Sequence, residues 1–375
     1  MPIDRESLKY ENKNANVFII VFEMAETGLD RDMKRTRSRK GAPGIVEVAS
    51  RAGVSAATVS RFYNDPDIVR GPTRIRIEQA AAELGYIRDR MAGSLHNRFT
   101  GTFGLVVPTI DNAIFSEMIE AFAGQLQAHD RTMLIASHGY DLSLEVPIIR
   151  SLLERRIDGV AMVGLDHDET CMTMLASRNV PVISVWNHAP DAPLPSIGVD
   201  NRAVAARATR YLLDLGHKDI AFLFPQTESN DRARARKAGA VTCMKEAGID
   251  VPDHRMMMTS YNISEAKSAV RTLLQNDAPT AILCGNDIIA QGAIYAAQSL
   301  RISVPDSLSV VGIGDFAGSA DIEPGLTTVR IPARRIGREA ADMIVEMSNS
   351  GRVHTLHTEM EAHLIERGSV GPCRA

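Results

Sequence analysis

Beyond Thr100 the chain alternates short β-rich runs with amphipathic stretches, and that pattern leaves few folds open. Candidate strands are Phe103 to Val107, Met133 to Ala136, Gly159 to Val163, Val182 to Val185, Ile220 to Phe224, Ala281 to Cys284 and Ser309 to Gly312. Helical stretches such as Ile114 to Ala128 and Asn201 to Leu215 lie between them. Strands separated by helices pair in parallel, because the intervening helix supplies the crossover. The expected class is therefore α/β. One doubly wound sheet rarely takes this many strands, so two similar lobes with a cleft between them are the economical arrangement. A chain of 375 residues can bury such a core. No apolar run approaches the ~20 residues that span a bilayer, so an integral membrane protein is excluded.

Charge changes sign along the chain. Residues 33–98 hold thirteen Lys/Arg against six Asp/Glu, whereas residues 99–375 hold twenty-five against thirty-three. A module of +7 thus precedes a body of −8, which points to a polyanion-binding unit on a carrier with another task. For the densest run, Lys34, Arg35, Arg37, Arg39 and Lys40, phosphate attraction and a solvated tail are both open readings. Residues 1–32 carry net −3, and Met33, directly before the basic run, reads as the translation start. Asp4, Glu6 and Glu11 stand where a secretory signal needs positive charge, so a cytoplasmic protein is expected. Cys171, Cys243, Cys284 and Cys373 form no CxxC pair, and the histidines show no metal spacing. Neither disulfide nor metal nor cofactor is expected.

The basic module has the spacing of a helix-turn-helix. Ile45, Val48, Ala49 and Ala52 recur at helical intervals, and Gly53 suits the left-handed position that ends a helix. Ser55 is placed to cap a second helix through Val59 and Phe62. A third begins near Pro72 and runs to Gly85. The ordered set AGVS, TVSR, a lone Asn64, TR, LGY and Leu95 resembles the DNA-binding headpiece of the lactose-repressor (LacI) family. The resemblance implies that the helix from Ala56 enters the major groove. Ala56 and Ala57 take the base-reading positions, and Arg61 reaches a guanine edge or a phosphate. Alanine offers only methyl contacts, best suited to thymine. Ser55, Thr58, Ser60 and Asn64 would clamp phosphates, although Ser60 could equally bond within its own helix. Residues Arg90 to His96 match the family's hinge, with Leu95 as the wedge that kinks the duplex from the minor groove. Family members usually carry Pro-Asn where Arg88-Asp89 stand here, and Gly93 costs about 1 kcal/mol of helix propensity, so a less stable hinge helix is expected. Gly44 stands where a capping Thr is common.

The resemblance continues through VPTIDNAIF, GVDNRAVAA, LGHKDIAFL, RKAG, PTAILCGNDIIAQGA, VPDSLSVVGIGDF and PGLTTVR, covering nearly all of the chain. Together these look like the family's periplasmic-binding-protein-like core of doubly wound parallel sheets. Carried over by position, the effector contacts are Phe115, Arg236, Tyr261 and Asn286, and Trp186 joins them at the same sheet edge. This set suits a polyol, since aromatic faces stack on C–H surfaces while Arg and Asn fix hydroxyls or a carboxylate. Arg232, one turn before Arg236, could share its face or point to solvent. Sugar-binding members carry an Asp where Gly314 stands, with Asp315 in the following structural position. A neutral Gly beside Arg236 favours a larger or anionic ligand such as a sugar acid, which is similar to gluconate-type members. Asp200 and Asn201 are expected to order the lobe.

Other readings fit less well. Gly312, Gly314 and Gly318 suggest a dinucleotide loop, but Ala317 fills the third-glycine slot and Pro324 interrupts the helix that should follow. No GxSxG, HExxH or phosphate-binding loop is present, so an enzyme is not expected. A periplasmic-type solute-binding protein for a sugar remains the alternative, distinguished by export. The expected organisation is an extension and disordered basic tail over 1–43, a headpiece over 44–89 and a hinge over 90–100. A core over 101–375 follows, with lobe 1 about 101–198 plus 330–356 and lobe 2 about 199–329 plus 357–375. What the resemblance implies is a homodimeric transcriptional repressor that binds near-palindromic operator DNA under control of a small sugar or sugar-acid effector.

Overall fold

The computed structural model describes residues 17–19, 43–87, 99–351 and 356–374. It divides into two compact units, residues 23–100 and the remainder. The hinge with Leu95 lies outside the described residues, as do residues 1–42 of the expected tail apart from Val17–Ile19.

In the smaller unit, α1 (Ile45–Ala52), α2 (Ala56–Asn64) and α3 (Gly71–Leu84) enclose one apolar cluster. Val48, Ala49, Val59, Phe62, Ile77 and Ala80 are buried in it, one stripe from each helix. Gly53 ends α1 in the left-handed conformation, φ 66°, which lets the chain reverse within three residues. Ser55 then caps α2 by accepting a hydrogen bond from Thr58 N–H at 3.2 Å. Gly44 has no side chain with which to cap α1; the Glu47 carboxylate instead accepts from its N–H at 2.9 Å. Helix α3 starts at Gly71, one residue before the expected Pro72, which sits in the first turn where its missing N–H leaves no bond unmade.

In the larger unit the strands, in chain order, are β1 (Val17–Ile19), β2 (Thr102–Val107), β3 (Thr132–Ser137), β4 (Gly159–Val163), β5 (Val182–Asn187), β6 (Ser196–Val199) and β7 (Ile220–Phe224). There follow β8 (Met256–Met258), β9 (Ala281–Cys284), β10 (Ser309–Gly314), β11 (Thr327–Arg330), β12 (His357–Glu359) and β13 (His363–Ile365). They form two sheets, β1-β3-β2-β4-β5-β6-β12 and β13-β11-β10-β9-β7-β8. Pairing is parallel throughout except between β11 and β13. Strands β2, β4, β7 and β9 are buried nearly end to end, as a sheet covered on both faces requires.

The helices are α4 (Ala113–Ala128), α5 (Glu145–Glu154), α6 (Glu169–Ser177), α7 (Asn201–Asp214), α8 (Asp231–Glu246), α9 (Ile263–Asn276), α10 (Asp287–Ser299) and α11 (Ala333–Ser350). Helices α4 and α11 pair on one sheet, α7 with α8 and α9 with α10 on the other. The chain passes between the lobes after β6, between β11 and α11, and again after Glu359. This last crossing falls beyond the expected residue 356, because β12 adds to β6 with Thr358 opposite Ile197. One apolar cluster runs from Phe103 and Phe122 in lobe 1 to Phe222 and Val311 in lobe 2. Among the described residues no helix is long and apolar enough to cross a membrane.

Candidate functional site

The first site is a helix face. Ala57, Ser60, Arg61 and Asn64 stand at i, i+3, i+4 and i+7 on α2, opposite the buried Val59 and Phe62. Ala57 and Arg61 are exposed, and Ala56, Thr58 and Ser60 are half-buried at the margin. Ser55 Oγ lies 2.9 Å from Thr58 Oγ1, so the two hydroxyls sit together at the helix N-terminus, where unpaired backbone N–H groups and the helix dipole favour a phosphate. Ala57 offers a methyl group and Arg61 a guanidinium on this face.

The second site lies between the lobes, and the first turns of α8 build it. Asn230 caps that helix, its Oδ1 accepting from Ala233 N–H at 3.3 Å. Asp231 is buried and accepts from Leu165 N–H at 2.8 Å and from Asn187 Nδ2, both in lobe 1. Arg232 Nη1 donates to Asp231 Oδ1 at 2.7 Å and toward Val163 O at 3.4 Å. Its passage requires Gly164, φ 103°, where any Cβ would collide with Nη1. Arg234 grips Asp166 of lobe 1 with bonds of 2.7 and 2.9 Å. Three contacts therefore clasp α8 to the loop after β4. That loop is held from behind: His167 bridges the buried Glu145 carboxylate at 2.8 Å and Gly164 O at 3.0 Å.

One turn further, Arg236 is 3% exposed and points into the interface. Its Nε donates to Asn201 Oδ1 at 2.8 Å and its Nη1 to Gly285 O at 2.7 Å, and neither bond engages Nη2. Burial, followed by the neighbouring Arg232, lowers its pKa, yet a guanidinium stays protonated in any protein setting. Asn201 is fixed in turn, its Nδ2 donating to Asn187 Oδ1 at 3.0 Å, while Asp200 caps α7 through Arg202 and Ala203 N–H. Both residues thus order the interface rather than line the space beside it.

That space is a cavity of about 10 Å³, room for one water, lined by Asn112, Phe115, Tyr140, Trp186, Arg232, Arg236, Tyr261 and Asn286. All five residues expected to touch an effector, Phe115, Trp186, Arg236, Tyr261 and Asn286, meet here, and Arg232 takes the inward of its two open orientations. Phe115 and Trp186 pack with ring centroids 5.0 Å apart at 60°, and Tyr140 and Tyr261 stack at 5.4 Å and 30°. Trp186 and Tyr140 hold left-handed backbones, φ 82° and 66°, which cost a bulky residue energy and collect at functional positions. Burial pushes the Tyr140 phenol well above its usual pKa, so it remains a neutral hydroxyl.

Asn286 closes the cavity from the N-terminus of α10. Its Oδ1 accepts from Ile289 N–H at 3.0 Å, which aims Nδ2 the other way; Nδ2 is buried without a hydrogen-bond partner. A buried donor left unpaired costs about 1–3 kcal/mol, and the cavity it lines is where a partner would stand. Carboxylates are missing from the lining residues. Asp287, the next residue, turns into the lobe, where its oxygens accept from Asp315 N–H, Ser319 Oγ and Thr328 Oγ1 at 2.6–2.7 Å. Burial pushes its pKa up to about 6. Asp315 is engaged by Arg330 and Arg367 at 2.6 and 2.7 Å, away from the cavity, and Gly314 adds no side chain.

Two lining residues, Asn112 and Tyr140, escape a reading of the sequence. Asn112 stands just before α4 at a strand's carboxyl end, a position that could have flagged it. Tyr140 lies in a loop with no periodicity, and nothing in its neighbours announces a left-handed backbone.

Known proteins resemble this chain in both regions. Residues 44–89 match bacterial regulatory proteins of the lacI family, and residues 209–370 match a periplasmic binding protein-like domain. The HTH-type transcriptional regulator RegA of Clostridium saccharobutylicum is 30% identical over 329 residues, covering 88% of this chain and 99% of its own. The HTH-type transcriptional repressor PurR of Erwinia tasmaniensis is 32% identical over 336 residues, with 88% and 98% covered. Among solved structures, a lac repressor dimer bound to operator and the anti-inducer ONPF superimposes with a TM-score of 0.77 at 25% identity, covering 88% of this chain and 99% of that one. The transcription regulator GntR from Chromobacterium violaceum gives 0.68 at 28% identity, covering 72% and 98%.

Proposed function

Because the chain belongs to the lacI family of bacterial regulatory proteins, it is a DNA-binding transcriptional regulator with an effector domain, and we propose that its effector is a small polyhydroxylated anion, a sugar acid, held between the lobes. The observation that carries this reading is the unpartnered Asn286 Nδ2 beside the buried Arg236 guanidinium, in a lining that has no carboxylate and whose other guanidinium, Arg232, is already paired with Asp231. Phe115, Trp186 and Tyr261 supply faces for the ligand's C–H surfaces. A gluconate-type ligand is one member of this class.

On the DNA side, Ala56, Ala57 and Arg61 read bases while Ser55, Thr58, Ser60 and Asn64 fix phosphates. Two headpieces on a near-palindromic operator require a homodimer, and the lac repressor relative was seen as a dimer on its operator. Repression is the proposed mode, and PurR is named as a repressor. The α8 clasp is the element a ligand would bias: occupying the cavity changes how α8 meets the loop after β4, and hence how the lobes meet. No catalytic role is proposed for any residue, and the site of action is the cytoplasm, where the operator is. A sugar-binding protein for export would share the two lobes but have no use for the headpiece.

Arg236→Ala should weaken effector binding more than about 100-fold by calorimetry while operator binding persists in a gel-shift assay. A retained effector Kd removes Arg236 from the site. Leu95→Ala should weaken operator binding with effector affinity unchanged, and an unchanged operator Kd rules out the wedge.

A further inference from the structure

A second, larger chamber adjoins the cavity. It holds about 480 Å³ and is lined by Tyr140 of lobe 1 and by Gln226, Glu228, Asn230, Ser260, Tyr261 and Glu265 of lobe 2. Tyr140 and Tyr261 line both spaces, and their rings stack where the two meet. Asn230 Nδ2, which lines the larger space, donates to the Tyr261 hydroxyl at 3.3 Å. The inner cavity of about 10 Å³ cannot take a sugar ring as it stands, whereas the outer chamber by itself falls within the 300–1,000 Å³ usual for ligand sites.

The two chambers also differ in chemistry. The inner one has two arginines and no carboxylate. The outer one has Glu228 and Glu265, with amides and hydroxyls around them, and Ser260 Oγ already donates to Glu265 at 2.6 Å. Carboxylates repel an anion and accept from hydroxyl groups. We propose that the effector is a two-unit ligand, a uronic acid linked to a neutral sugar, with its acidic unit inside against Arg236 and its neutral unit in the outer chamber. The link passes between Tyr140 and Tyr261, whose rings part to flank it and offer a face to each sugar. The inner half of this assignment rests on the anionic reading above; the outer half rests on the chamber.

The test is titration calorimetry on the full chain with three probes: a uronic acid, a panel of aldobiouronic acids and a panel of neutral disaccharides. The best aldobiouronic acid should bind about tenfold or more tightly than the uronic acid it contains. Ser260→Trp, on an exposed residue, fills the outer chamber and should abolish that advantage while leaving the uronic acid within about twofold of its wild-type Kd. Gln226→Trp fills the same space from another loop and guards against a folding defect in the first variant. The proposal is overturned if the uronic acid alone binds as tightly as any two-unit acid, or if both tryptophan variants weaken the two acids equally. Neutral disaccharides binding as tightly as acidic ones would instead remove the anionic reading and leave the two-chamber assignment in place. If none of the probes binds, both are overturned.

Discussion

On α2 the residues proposed to meet DNA are mostly small and drawn from ten consecutive positions, with Ala57 and Arg61 exposed; those lining the cavity are mostly large and buried and drawn from positions 112 to 286. The difference has a physical consequence. Ala57 and Arg61 hold nothing together, so they are free to vary with the operator and leave the helix intact. Arg236 binds Asn201 and Gly285 as well as facing the cavity, and Tyr140 and Trp186 occupy costly backbones that the surrounding packing must enforce. Recognition on the helix is laid over a finished fold, whereas recognition in the cavity is part of the fold. Changes on the helix should therefore leave the core's stability and, with no DNA present, its effector affinity untouched.

The largest effect expected comes from Phe62→Ala. Phe62 is buried between the three headpiece helices, and truncation should cost about 3–5 kcal/mol. Scanning calorimetry of the full chain should show the headpiece transition lost while the core melts and binds effector as before; a core transition that falls with it would break the comparison. A smaller effect follows from His138, which is buried in lobe 1 with Nδ1 unpaired, near Glu145, Arg232, His167 and Asp141. Burial, first among its causes, lowers its pKa to about 4. The unfolded chain then binds the proton in the window between about 6.5 and 4 while the folded core does not, so stability falls as pH drops through that window. From pH 7 to pH 5 the loss is about 2 kcal/mol. Asp287, whose pKa is raised, acts in the opposite sense below about 6. His138→Asn should flatten the acid loss of the core transition by that amount, and an unchanged pH profile would show that His138 takes up its proton alike in the folded and unfolded states. Smallest is Ser55→Ala, which removes the α2 cap at about 1 kcal/mol. The headpiece melting temperature and operator affinity should both drop, with the core's effector Kd as the control.

Legibility followed the same division. Gly53, Ser55 and Gly85 act at the ends of helices through bonds to residues three to five positions away, so their neighbours in sequence suffice to place them. Strands β4, β7 and β9 are continuous apolar runs whose ends are legible to the residue. The short edge strands β8, β12 and β13 are not, because three residues of Met or mixed polarity carry no period, and only a neighbouring strand makes them strands. At the cavity, the family likeness brings Phe115, Trp186, Arg236, Tyr261 and Asn286 forward by position. The α8 clasp, which joins Asp231, Arg232 and Arg234 to residues some seventy positions away, has no local trace.

By itself, then, the sequence determined the α/β class and the helix-turn-helix, because period and caps act over a few residues and a few ångströms. Only the tertiary structure decided that Arg232 turns inward, that Asp287 turns away, and that Tyr140 stacks on Tyr261 where two chambers of opposite character meet. Each of those outcomes depends on which groups from the other lobe, or from distant strands, arrive to satisfy a buried charge or hydrogen bond, and that is settled when the lobes close on one another.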